Sequence, residues 1–142
     1  MDRDIKQWQV VNVSQGGPPT PLYSISQAIE VLVEISKNET GETLDYLHAH
    51  RGVITCTAGK GRSTLTFVPD YDKTKHSLVG SRSVRSPNGS KSLLHVDSVG
   101  SVSSIPANAL LPVLDVVRGL VYIFENHDVP SFLDWTGPAV ES

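Results

Sequence analysis

Apolar residues fall into two rhythms along this chain. Near the C-terminal end Val113, Val116, Val117, Leu120, Val121 and Phe124 recur at spacings of three and four, the period of one broad helical face. Leu114 and Ile123 widen that face beyond what an ordinary surface helix needs. Pro112 suits the first turn, where a missing N–H costs nothing, and Asp115 sits where the helix dipole favours a carboxylate. Asn126 and His127 are left-handed stop residues, Pro130 forbids continuation, and Phe132, Leu133 and Trp135 form an apolar hook. A second helix starts after Ser24, with Gln27 completing a capping box. It buries Ile25, Ala28, Ile29, Leu32, Val33 and Ile35, keeps Glu30, Glu34 and Lys37 among its exposed positions, and stops at Asn38–Glu42.

Between and before these helices the rhythm is that of strands. Trp8–Val13 places Trp8, Val10 and Asn12 on one face, and the loop from Ser14 to Pro21 is too rich in glycine and proline to continue a ladder. Gly52–Ala58 and Ser63–Pro69 are rich in β-branched residues and joined by the hairpin loop Gly59-Lys60-Gly61-Arg62. Leu65 and Phe67 alternate with Thr64 and Thr66, as in a half-buried strand. Asp70–Lys75 reads as a charged turn. From His76 to Ser104 apolar positions and the turn signal Pro87-Asn88-Gly89 predict three more short strands. The expected fold is α+β: one domain over 1–142, an antiparallel meander packed by an N-terminal and a C-terminal helix.

Composition narrows the function. The 142 residues are 39% hydrophobic and 19% charged with net charge −3, globular values without the clustered Lys and Arg that phosphate-backbone binding requires. One cysteine, Cys56, excludes an internal disulfide and a zinc knuckle. The N-terminus lacks an apolar signal core and no stretch has the length of a membrane span, so the expectation is a cytoplasmic protein without direct nucleic-acid or membrane contact. The oligomeric state is not fixed by these features.

No motif assembles a catalytic or cofactor site. Gly59–Thr64 has the wrong spacing for a phosphate loop and precedes a strand rather than a helix. His48 and His50 at i and i+2 share a strand face, yet no nearby group completes a metal set, and they read as exposed or structural histidines. Cys56 has no cationic neighbour in sequence and reads as a small core residue. His95 and Asp97 have no nucleophile elbow to serve. What remains are acidic surfaces: Glu39, Glu42 and Asp45 after the first helix, and Asp70 and Asp72 flanking Tyr71. Acidic groups beside an aromatic suit a basic protein partner, because opposite charge raises association rates.

Ile105-Pro106, the helix from Pro112, Asn126-His127, Pro130 and Trp135 together give a C-terminal signature that resembles the first-numbered family of immunity proteins from bacterial polymorphic toxin systems. The similarity runs from about Tyr23 onward. The chain departs from that pattern at Asn126-His127, where the family often has Thr-Gly, and at Leu110-Leu111-Pro112, where its helix start is more polar. The resemblance implies a protein that binds a cognate toxin, frequently a nuclease or deaminase domain, and neutralises it without catalysis. Its partner would then be a basic toxin contacted through Glu39, Glu42, Asp45, Asp70, Tyr71 and Asp72. The alternative is a small α+β enzyme or ligand-binding domain using His48, His50 or His95.

Overall fold

The computed structural model describes residues 7–49, 52–69, 78–80, 93–96, 102–105, 110–126, 128, 130–133 and 135–136. Both helices stand where the apolar periodicity puts them. Helix α1, Ile25–Ser36, opens on Ser24, whose Oγ accepts from the Gln27 N–H at 3.1 Å. The Gln27 side chain reaches one residue further back than a capping box requires, accepting from the Tyr23 N–H at 2.7 Å. Ile25, Ala28, Leu32 and Ile35 are buried, and Ile29 is partly buried against the core. Helix α2, Val113–Asn126, buries Val116, Gly119, Leu120, Ile123 and Phe124, while Val117 and Val121 pack half-buried against the same core.

Eleven strands are seen among the described residues: β1 Gln9–Asn12, β2 Thr20–Pro21, β3 Glu42–His48, β4 Gly52–Gly59, β5 Arg62–Ser63, β6 Leu65–Pro69, β7 Leu78–Gly80, β8 Leu93–Val96, β9 Val102–Ile105, β10 Leu111–Pro112 and β11 Trp135–Thr136. The main sheet runs β11-β7-β6-β4-β3-β1-β2, with β5 and β10 paired at its side. Every pairing is antiparallel, and β8–β9 form a separate two-stranded sheet. This is the expected α+β architecture, and the serine-rich segment supplies its three short strands, β7, β8 and β9.

Period-two alternation assigns the two faces of the sheet. Leu44, Tyr46 and His48 of β3, Ile54, Cys56 and Ala58 of β4, and Leu65 and Phe67 of β6 are buried on one face. Both helices lie on that face, since the Tyr46 hydroxyl donates to the Ala28 carbonyl of α1 at 2.8 Å and its ring meets Phe124 of α2 edge-on at 5.7 Å. Trp8 completes the cluster, 5.1 Å from both Phe124 and His48. Gly119 allows α2 to approach β6 closely: a Cβ there would stand 2.8 Å from Leu65 Cδ2 and 3.1 Å from Leu133 Cδ1. The other face carries Thr43 and Thr57, whose hydroxyls bond at 2.7 Å, beside Asp45 and Thr55.

Leu114, placed on the apolar face by its spacing, is instead 70% exposed, and three stretches of backbone also differ from expectation. Glu42 begins a central strand rather than ending the stop after α1; β3 pairs along its whole length with β4 and with β1 on its other side. Thr20–Pro21 adds a strand beyond β1 despite the prolines around it, because proline is tolerated on an edge, where its missing N–H interrupts no further ladder. Leu111–Pro112 forms a strand against Ser63 and Arg62 before α2 begins at Val113. Between β5 and β6 the hairpin keeps its register: Thr64 N–H donates to the Thr57 carbonyl, Thr57 N–H donates to the Thr64 hydroxyl, and the Thr64 carbonyl accepts from Ser63 Oγ.

The hairpin tip closes the C-terminal end of α1. Lys60 and Gly61 both have positive φ, 55° and 75°, the requirement of a two-residue type I′ turn. Their N–H groups donate to the carbonyls of Asn38 and Ser36 at 2.8 Å each, satisfying acceptors that a helix end leaves open.

Candidate functional site

Three of the described groups with intrinsic reactivity, Cys56, Tyr46 and His48, are buried in the core. Cys56 is fully buried, and burial pushes its thiol up to about 12, a bond from Ser63 working against that shift and the Asp45 charge adding to it. Burial also raises the Tyr46 hydroxyl well above its ordinary value, with Cys56 contributing in the same direction. His48 is buried beside Trp8. His95 occupies β8 opposite Ser103, while His50 and Asp97 fall outside the described residues. Among the described residues no three His, Cys, Asp or Glu side chains gather as metal ligands, and no helix is long and apolar enough to cross a membrane.

The acidic residues separate when placed on the fold. Glu39 is exposed in the turn after α1. Glu42 opens β3 on the helix-bearing face, where Oε1 accepts from Asn12 Nδ2 at 2.9 Å and Gln15 Nε2 at 3.1 Å, and Oε2 from Asn38 Nδ2 at 2.9 Å. It ties the β1–β2 loop to the α1–β3 turn through three neutral donors. Asp45, three residues on, projects to the opposite face and accepts from the Thr55 hydroxyl at 2.8 Å. Glu39 and Glu42 therefore share a corner and Asp45 does not. Asp70, Tyr71 and Asp72 lie outside the described residues.

Beside that corner is a groove unmarked in the one-dimensional pattern. Its first part, about 370 Å³, lies between Val10 and Asn12 of β1, Gln15, Gly17 and Pro18 of the following loop, Thr20 of β2, Leu44 of β3, and Gln27 and Val31 of α1. The second, about 420 Å³, runs on past Glu30, Glu34 and Ile35 and shares Asn12, Gln15 and Val31 with the first. Helical spacing explains the wall: Gln27, Glu30, Val31, Glu34 and Ile35 stand three and four residues apart on one face of α1. No lysine or arginine lines either part. The nearest cation in that wall's sequence is Lys37, 4.0 Å from Glu34 in an exposed pair, a geometry that contributes little. Glu30 and Glu34 read from the sequence only as exposed helix positions, and Gln27 only as a cap. Their four-residue recurrence with Val31 was the available signal.

Comparison with known proteins adds no relative: no family model matches the chain, and no curated protein matches it at a significant level.

Proposed function

We propose that this chain is an immunity-type protein that binds a cognate bacterial toxin domain, of the nuclease or deaminase class, and neutralises it by occluding its active or substrate-binding site. The observation that carries this reading is the collection of Glu30, Glu34, Glu39 and Glu42 around the C-terminal half of α1, against Lys37 and Lys60. The last turn of that helix contains no basic residue, so the negative end of its dipole adds to the same field. A toxin that processes nucleic acid carries a cationic groove for the substrate backbone. An acidic corner finds such a groove quickly and competes with phosphate for it. The resemblance of the C-terminal signature supports the same reading; of its residues, Pro130 is buried and Trp135 pairs with Gly80 of β7. The enzymatic alternative loses His48 to the core.

The test is co-expression with the toxin encoded beside this chain, followed by measurement of association rates across salt concentrations. Protection, with a rate that falls as the screening length shrinks from about 10 Å at 0.1 M to about 3 Å at 1 M, is the expected result. Absence of protection by the wild-type chain overturns the proposal.

A further inference from the structure

The groove between the β1–β2 loop and α1 has polar groups that the fold leaves unused, and their identities follow from the partners of the same side chains. Gln15 donates its amide NH2 to Glu42, so the end turned elsewhere is its carbonyl oxygen, an acceptor. Gln27 accepts the Tyr23 N–H through Oε1, so its remaining end is the NH2, a donor. Neither remaining end has a hydrogen-bond partner among the described residues. One acceptor and one donor on side chains that line a groove with Val31 in its wall match a peptide backbone, which offers an N–H and a C=O beside side chains.

The dimensions fit a short extended segment. From Gln27 to Ile35 the helical wall spans about 12 Å at 1.5 Å per residue, the length of about four residues of extended chain. Charge selects among such segments. Glu30 and Glu34 line the far part of the groove and no cation does, so an acidic segment meets repulsion, and a lysine or arginine meets two carboxylates of which Glu34 has only the exposed Lys37 contact at 4.0 Å to give up.

We infer that this groove binds an extended peptide segment of a partner protein, its backbone held between Gln15 and Gln27 and a lysine or arginine side chain held by Glu30 and Glu34. The inference rests on the neutralisation reading for the partner's biology and on the groove alone for its chemistry. Within that reading the occupant is a basic segment of the toxin.

The experiment titrates 15N-labelled protein with a blocked pentapeptide alternating valine with arginine and lysine, and with its counterpart in which glutamate replaces both cations. The basic peptide is expected to shift the side-chain NH2 signals of Gln15 and Gln27 and the backbone signals of Val31, and the acidic peptide to leave them in place. Glu30→Gln with Glu34→Gln should weaken the basic peptide by about tenfold, and Glu30→Lys with Glu34→Lys by more, within the range that focused charge produces. Both positions are exposed, and a thermal melt confirms that the variants fold. Shifts located elsewhere, or equal shifts from both peptides, overturn the inference. Co-expression with the neighbouring toxin separates the two levels: protection retained by the double lysine variant discards the groove and leaves neutralisation standing. Peptide binding in the groove without protection by the wild-type chain does the reverse.

Discussion

Strand β1 serves two unlike regions. On one side of Val10, Trp8 enters an aromatic cluster with His48, Tyr46 and Phe124, where each ring meets another edge-on. On the other side Asn12 reaches the groove, among amides and carboxylates only partly matched to one another. In the first region a phenol, an imidazole and, nearby, a thiol have been withdrawn from water and used as packing. In the second, Asn12, Gln15, Gln27, Glu30 and Glu34 line a groove. What a residue can do thus depends on what the fold has already used, and among the described residues Tyr46, His48 and Cys56 are used in the core.

The largest effect belongs to the packed region. Phe124→Ala should destabilise the protein by about 3–5 kcal/mol, the range for emptying a buried aromatic site, as measured by denaturant unfolding. Since whole domains are stable by only about 5–15 kcal/mol, an unchanged midpoint would remove α2 from the core.

A smaller effect tests the boundary between the regions. Glu42→Gln puts an NH2 group where one of the donors from Asn12, Gln15 or Asn38 now finds an oxygen. It should cost about 1 kcal/mol, the net worth of an ordinary hydrogen bond. Equilibrium unfolding measures it, and a cost near zero would make Glu42 a free surface carboxylate rather than a tie between two loops.

The smallest effect at neutral pH concerns Cys56. The unfolded thiol loses its proton near 9 and the folded one near 12. Between those values the folded state holds more protons, so stability is fully present below pH 9 and declines as pH rises through that interval. Cys56→Ala should flatten part of this alkaline decline. In the native wild-type protein the thiol should resist iodoacetamide at pH 8 until denaturant unfolds the chain, because only an accessible thiolate reacts. Rapid native labelling would contradict the burial.

The same contrast explains what could be read from residue order. Both helices and the β4–β6 hairpin were legible, because a stripe at period 3.6 and β-branched runs around Lys60-Gly61 are local signals. Most of β3 was hidden: its apolar face ends in a histidine, and Glu42 and Asp45 look like loop acids until pairing with β4 sends them to opposite faces. Strand β2 was hidden by Pro21, whose place on the edge cannot be known before the sheet order is. The groove was not legible at all as a site. Asn12, Gln15, Gln27 and Glu34 come from separate segments, and the remaining polar ends of Gln15 and Gln27 are defined only after Glu42 and Tyr23 have taken the others.

In the reading proposed above, recognition uses the exposed acidic wall of α1, while stability comes from the buried residues behind it. Its most direct test is the Glu30→Lys, Glu34→Lys variant, measured in parallel for unfolding and for binding to the toxin partner proposed above. Exposed substitutions of this kind usually change stability by less than about 0.5 kcal/mol. The account predicts an unfolding midpoint within that margin together with loss of toxin binding by about tenfold or more at low salt. Unchanged binding, or a loss of binding matched by an equal loss of stability, would contradict it.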